Sequence, residues 1–257
     1  REMAIAARPN CPAIEGTQTR EPAFGLAAWW IAPARAEAAR AAGYTVVDAV
    51  SVMGTHLSEL IRQNVHELFS RQDAKAYVDR VAQEHARVVE EVVPKLLSLG
   101  LVHRVLQNLL RERASIRDGA TILEALGDAG GSTRNPVLLT EYVRQAIRRT
   151  LVKPYVNPAG DLPAYLVDPN LERLVETAVE HGEQTSHVSL APESIRDLLD
   201  RFKRKVGAPE SPVVAIASCG SRPFLRQLVE PSIRNLFFLS PAEIPPSVRV
   251  VSLGVIQ

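Results

Sequence analysis

The stretch EPAFGLAAWWIAPARAEAARAAGYTVVD, residues 21–48, reads in four pieces. Phe24 to Ile31 is apolar and holds both tryptophans, Pro33 opens an alanine-rich run to Ala42, and Gly43 closes that run ahead of Tyr44 to Val47. Strand, helix with an early proline, glycine stop and second strand is the order of a small β-α-β unit of roughly fifty residues. Upstream, Arg1 to Thr19 has no clear period and carries Pro9, Cys11, Pro12 and Gly16, so it reads as extended or looped. Downstream, Asp48 is placed to cap a helix that runs to about Ser70. In it Val50, Met53, Leu57, Leu60, Ile61 and Leu68 recur at three- and four-residue spacing, and this stripe is expected to face a core. Ser51, Thr55, Glu59, Arg62 and His66 then fall on the other side, where Thr55 is free to meet solvent or a partner.

From Ser70 to about Thr150 the periodic segments are all helical, with breaks expected at Pro94, Gly100, Ser115 and the loop Gly127 to Asn135. After Pro154 strand-like and helix-like segments alternate. Leu162 to Val167, Val188 to Leu190, Val213 to Ala217, Leu236 to Leu239 and Val248 to Leu253 read as strands. Leu171 to Val179, Pro192 to Val206 and Pro223 to Val229 read as helices. The whole is an α+β chain of several subdomains: a small β-α-β piece over 1–48, a helix over 49–69, a helical piece over 70–148, and an α/β piece with a mixed sheet over 149–257.

Of 257 residues, 46% are hydrophobic and 23% charged, which fits a folded chain and excludes disorder. Thirty Lys and Arg against twenty-nine Asp and Glu leave no excess of positive charge to suggest nucleic acid or a membrane surface. No apolar run approaches the roughly 20 residues that span a bilayer, and no export signal is visible. The two cysteines, Cys11 and Cys219, lie far apart in sequence, which suits a reducing, cytoplasmic setting. Opening on Arg1 instead of Met, the chain reads as part of something longer.

Candidate chemistry is sparse. Cys219 sits on a strand-to-helix turn, where helix amides lower a thiol pKa, but the Gly-x-Ser-x-Gly pattern is missing and nothing places the candidate bases His181 or His187 nearby. Gly127 to Thr133 follows a helix and lacks the Gly-Lys-Ser/Thr ending of a phosphate loop, so it reads as a connector. His56, His66, His85, His103, His181 and His187 form no metal-binding spacing. Glu90-Glu91, Arg148-Arg149 and Lys203-Arg204-Lys205 read as solvated clusters. What remains is Phe24, a large apolar side chain at a strand start, where exposed aromatics often serve as binding anchors.

Several strings, in order, carry a resemblance. They are Glu21-Pro22-Ala23-Phe24-Gly25-Leu26, Gly43-Tyr44-Thr45-Val46-Val47-Asp48, Thr55-His56-Leu57, Arg71-Gln72, Val105-Leu106-Gln107-Asn108-Leu109-Leu110, Ile116-Arg117-Asp118 and Thr121-Ile122-Leu123-Glu124. The chain from about Ile14 to Gln257 resembles the cytoplasmic domain of the FHIPEP family, the export-gate proteins of type III secretion in flagella and injectisomes. The resemblance implies a non-enzymatic docking platform without cofactor, at the cytoplasmic face of the bacterial inner membrane. There it would receive export chaperones with bound substrates and components of the export ATPase complex. It implies a homo-oligomeric, nonameric ring, no nucleic acid, and membrane contact only through a half that is absent from this chain. The residues matching the family's chaperone-substrate dimple are Glu21, at a position usually held by Asp, with Phe24 and Thr55. The resemblance further implies that much of a first subdomain precedes the segment matching Arg1, which would leave the apolar stripe of residues 49–69 uncovered. Two other readings stay open: the same role in an injectisome, and a cytosolic hydrolase using Cys219.

Overall fold

The computed structural model describes residues 1–6, 8, 11–183, 185–209 and 211–257. The chain divides into two compact units, residues 1–68 and 69–257. The first holds β1 (Glu2–Ala6), β2 (Thr17–Arg20), β3 (Ala27–Ile31), α1 (Ala36–Ala41), β4 (Tyr44–Asp48) and α2 (Ala49–Leu68). Its sheet runs in the order β2-β3-β1-β4, with β1 antiparallel to both β3 and β4. The crossover through α1 therefore joins two parallel strands with β1 between them.

The expectation of an extended or looped stretch over residues 1–19, with regular structure only after it, is corrected in its second part: the stretch supplies β1 and most of β2, Pro9 lying outside the described residues. β1 hides from a period-two search because both its faces are covered, Met3 packing with Ala28 and Val52 and its neighbour Ala4 with Ile31, Ala39 and Tyr44. β2, Thr-Gln-Thr-Arg, is a polar edge strand. The two tryptophans divide in the same way. Trp29 meets Tyr44 edge-on at 5.6 Å between ring centroids, while Trp30 packs on the Val52 side.

Asp48 caps α2 as expected, Oδ1 accepting from the amides of Val50 and Ser51 at 2.9 Å each. The face of α2 that was expected to be buried is not. Val50, Met53, Leu57, Leu60, Ile61 and Leu68 are all exposed, and Val52 alone in this helix is buried. The helix lies on the sheet through Val52, with Ser51 and Thr55 beside it. Periodicity locates an apolar face but not the surface that covers it.

In the second unit, α3 (Arg71–Val92), α4 (Leu99–Arg111), α5 (Gly119–Gly130), α6 (Pro136–Ala146) and α7 (Arg148–Val152) precede an alternating segment. The latter runs β5 (Asp161–Val167), α8 (Pro169–Thr177), β6 (Val179–His181), β7 (Ser186–Val188), α9 (Pro192–Val206), β8 (Val213–Ile216), α10 (Arg222–Val229), β9 (Leu236–Leu239) and β10 (Arg249–Ile256). The helix starts follow from side-chain caps. Ser70 and Asp73 form a capping box, and Ser98, Asp118, Asn135 and Asp168 each accept from an amide in the first turn.

Two expected breaks are corrected. Gly100 lies inside the first turn of α4, and α5 continues through Gly127 to Gly130. A Cβ at Gly130 would stand 2.9 Å from Leu96 Cδ2 and 3.0 Å from Leu97 Cδ2, so glycine there serves close packing.

The main sheet has the order β10-β5-β8-β9 and is parallel throughout, so the α+β class holds while the sheet is not mixed. The antiparallel pair β6-β7 stands apart as a hairpin. Residues alternate between two cores. Leu162, Ala164, Val214 and Leu239 join the core of α3 to α6, while Val167, Ala215, Leu236 and Phe238 pack with Leu198, Phe202, Phe224 and Leu225. Burial on both faces is why β8 and β9 read as continuous apolar runs.

Helical layer and sheet are also tied by buried charge. Arg144 of α6 bonds Glu243, Glu112 and the carbonyl of Phe238 in β9, and Arg222 of α10 bonds Glu141 and Glu112. Arg144, Arg222 and Glu243 are fully enclosed. Burial alone would raise the Glu112 carboxyl, but Arg144 and Arg222 overcome it and hold the pKa at about 2.

A carboxyl depressed on folding contributes stability above its unfolded value near 4.5, and that contribution is lost as pH falls toward 2. Glu112→Gln should cost about 3–5 kcal/mol at pH 7, because it strands buried guanidinium charge, and should flatten the loss between pH 4.5 and 2. Urea unfolding across that range measures both effects.

Helix contact supplies a second test. A Cβ on Gly119 would fall 2.3 Å from Val81 Cγ2 and 3.1 Å from Tyr77 Oη, whose hydroxyl donates to the Ile116 carbonyl at 2.9 Å. Gly119→Ala should destabilise this unit by about 1–3 kcal/mol. Gly131→Ala, with nothing within 4 Å of the new methyl, should stay within about 0.5 kcal/mol in the same denaturation experiment.

Candidate functional site

The strands β2 and β3 are joined by residues 21–26, and the local chemistry of this turn sets the site. Glu21 receives the amides of Ala23 and Phe24 on its two carboxylate oxygens, at 2.8 and 2.7 Å. Its own amide donates to the Leu26 carbonyl at 2.8 Å, and the Gly25 amide closes onto the Glu21 carbonyl at 2.9 Å. Gly25 adopts φ +72°, the left-handed region that glycine tolerates without strain. Arg20 Nη1 donates to the Gly25 carbonyl. Every polar group so used is spent inside the turn, and the largest side chain left projecting is Phe24, 63% exposed, with Pro22 and Leu26 exposed beside it.

Phe24 borders a depression of about 100 Å³ that lies wholly within the first unit. Leu26 stands with it on the turn, Ile5 and Val47 come from β1 and β4, and Ser51, Val52 and Thr55 come from α2. The lining is mainly aliphatic, with the hydroxyls of Ser51 and Thr55 along one wall. Glu21 and Phe24, from one string of the sequence, and Thr55, from another some thirty residues on, are thus neighbours around one cavity. Phe24 belongs to the turn and not to a strand start, since β3 begins at Ala27.

Glu21 is 3% exposed, and both its oxygens are occupied by backbone amides. Its contribution is to shape the turn. Ile5, Leu26, Val47, Ser51 and Val52 were not foreseen as members. Ile5 was hidden because no strand was assigned to the N-terminal stretch, and the others carry no signal beyond being small or aliphatic.

The remaining candidates stay scattered. Cys219 is a free, exposed thiol after β8. His181 bonds Ser186 at 2.9 Å and meets Phe224 edge-on, and His187 pairs with Glu180, so both are engaged on the β6-β7 hairpin. Among the described residues no group of three or more His, Cys, Asp or Glu side chains could hold a metal ion. Among them, too, no helix is long and apolar enough to cross a membrane.

The first unit thus combines a four-stranded sheet with an apolar dimple, and the second sets a helical layer on a parallel sheet. The FHIPEP family model matches residues 1–249, and the chain belongs to the FHIPEP family. It is 35% identical over 258 residues to the flagellar biosynthesis protein FlhA of Bacillus subtilis strain 168, covering 99% of this chain and 38% of that protein. The corresponding protein of Escherichia coli K12 is 36% identical over 247 residues, covering 95% of this chain and 35% of its own length. The chain therefore spans little more than a third of these relatives. Among solved structures, the Chlamydia pneumoniae CdsV protein shares the fold at a TM-score of 0.85 and 24% identity, covering 99% of this chain and 75% of that one. The nonameric SctV-C of enteropathogenic E. coli does so at 0.79 and 22%, covering 99% and 78%.

The role of Glu21 is open to a direct test. Glu21→Ala leaves two amides without their acceptor and should cost the first unit about 1.5–3 kcal/mol. Amide exchange at Ala23 and Phe24 should accelerate in this variant and remain slow in Phe24→Ala.

Proposed function

We propose that this chain is a docking platform of a type III protein export gate, of the flagellar kind, and that the Phe24 depression receives chaperone-substrate complexes. The observation that carries the reading is the exposed Phe24 ring at the rim of an aliphatic dimple, held by a turn that needs none of that ring for its own stability. An amphipathic helix lays an apolar stripe into such a groove, and the hydroxyls of Ser51 and Thr55 offer polar contacts at the margin.

Family membership and the flagellar description of relatives above 30% identity support the flagellar over the injectisome assignment. The nonameric form described for the enteropathogenic E. coli domain supports a ring, and the inner-membrane setting follows as part of the same proposal. Components of the export ATPase complex would be further partners. The complex of Chlamydia pneumoniae CdsV with CdsO shows that one structural relative engages another protein. The hydrolase alternative has nothing to recommend it: both candidate bases are engaged on the hairpin, and neither shares a hydrogen bond with Cys219.

The test is calorimetric titration of a flagellar chaperone-substrate complex into the wild-type chain, Phe24→Ala and Thr55→Asp. Truncating an interface anchor should cost about 2 kcal/mol or more, roughly thirtyfold in affinity, with the circular dichroism melt unchanged. Wild-type affinity in both variants would remove the depression from the site.

A further inference from the structure

The second unit contains a cavity of about 490 Å³ lined by Arg71, Ser98, Gly100, Leu101, Arg104 and Arg134. The three arginines come from three separate places: the first turn of α3, the body of α4, and the connector before α6. None has an ion-pair or side-chain hydrogen-bond partner among the described residues, and no carboxylate lines the cavity. Arg144, Arg222, Arg226 and Arg249 of this unit are paired with carboxylates, and what sets Arg71, Arg104 and Arg134 apart from its other exposed, unpaired arginines is that the three converge on one space.

Arg71 stands in the first turn of α3, where the helix dipole disfavours a cation. Its Nη2 would lie 3.5 Å from a Cβ at Gly100, so the guanidinium is laid against bare backbone at the N-terminus of α4. That helix end presents positive partial charge to the same space.

We propose that this cavity binds carboxylates of an acidic segment of a partner polypeptide. Three separated guanidiniums match several carboxylates spread along a chain, and guanidinium pairs with carboxylate through two parallel hydrogen bonds. The volume exceeds what one small oxyanion fills. No aromatic side chain lines the cavity to stack a nucleobase, and Leu101 gives an aliphatic contact suited to a peptide. The site lies in a different unit from the Phe24 depression and stands independently of its function.

Fluorescence anisotropy of dye-labelled hexaglutamate, titrated with the full chain, tests the proposal. Arg104→Glu/Arg134→Glu should weaken saturable binding at least tenfold, and Arg104→Ala/Arg134→Ala should weaken it less but in the same direction. Lys203→Glu/Arg204→Glu, which makes the same change in net charge on α9, should stay within twofold. Equal loss in both reversed pairs, or no saturable binding to wild type, would overturn the site. Displacement by sodium phosphate beyond that of sodium chloride at equal ionic strength would make it a small-oxyanion site and overturn the peptide assignment. Self-association that Arg104→Glu/Arg134→Glu abolishes in sedimentation velocity would replace the partner by a second copy of the chain, and so also overturn it.

Discussion

Two guanidinium groups organise the second unit. Arg144 and Arg222 are enclosed between the helical layer and the parallel sheet, and each reaches carboxylates on more than one element. Hydrophobic packing alone would allow the helices to slide over the sheet with little change in buried area. Buried charge does not, because each guanidinium has fixed donor directions and any displacement strands an ion away from water. Burial also raises the Glu141 carboxyl, a direction that brings three acids facing two bases closer to balance. The β9 carbonyl of Phe238 and the short helical turn bearing Glu243 are drawn into the same set of bonds, so the layer and the sheet edge are positioned together.

This network leaves no trace in a hydropathy profile. Arg144 and Arg222 look like any other charged residue on an amphipathic helix, and only the fold brings Glu112, Glu141 and Glu243 to them. The apolar runs of β8 and β9, the span of α9 and the cap at Asp48 were legible, because each depends on neighbours within a few residues. β1 was not, since burial on both faces removes the alternation that marks a strand. The stripe on α2 shows the opposite failure: a strong signal for an apolar face, with nothing local to say what lies against it.

The candidate site was legible for a different reason. In Glu21-Pro22-Ala23-Phe24-Gly25-Leu26, Glu21 is the acceptor for two amides, Gly25 supplies the left-handed residue, and Phe24 is the side chain presented. A string with such assigned tasks is recognisable as a resemblance even at modest identity. Placing Thr55 off the apolar stripe of its helix, and Phe24 where a large side chain escapes burial, identified two rim positions. The floor was unreadable, since Ile5 and Val47 meet there through β1 and β4 pairing that spans some forty residues of sequence.

The turn that carries Phe24 is stiffened by its own backbone and by a carboxylate beneath it, with little help from the ring it displays. Presentation and folding are thereby separated. A ligand closing over the ring meets a surface whose ordering cost was met when the chain folded, so little of the contact energy is spent on arranging the turn. The same separation makes the tip replaceable: a substitution at position 24 leaves in place the bonds by which Glu21 and Gly25 hold the shape of the frame.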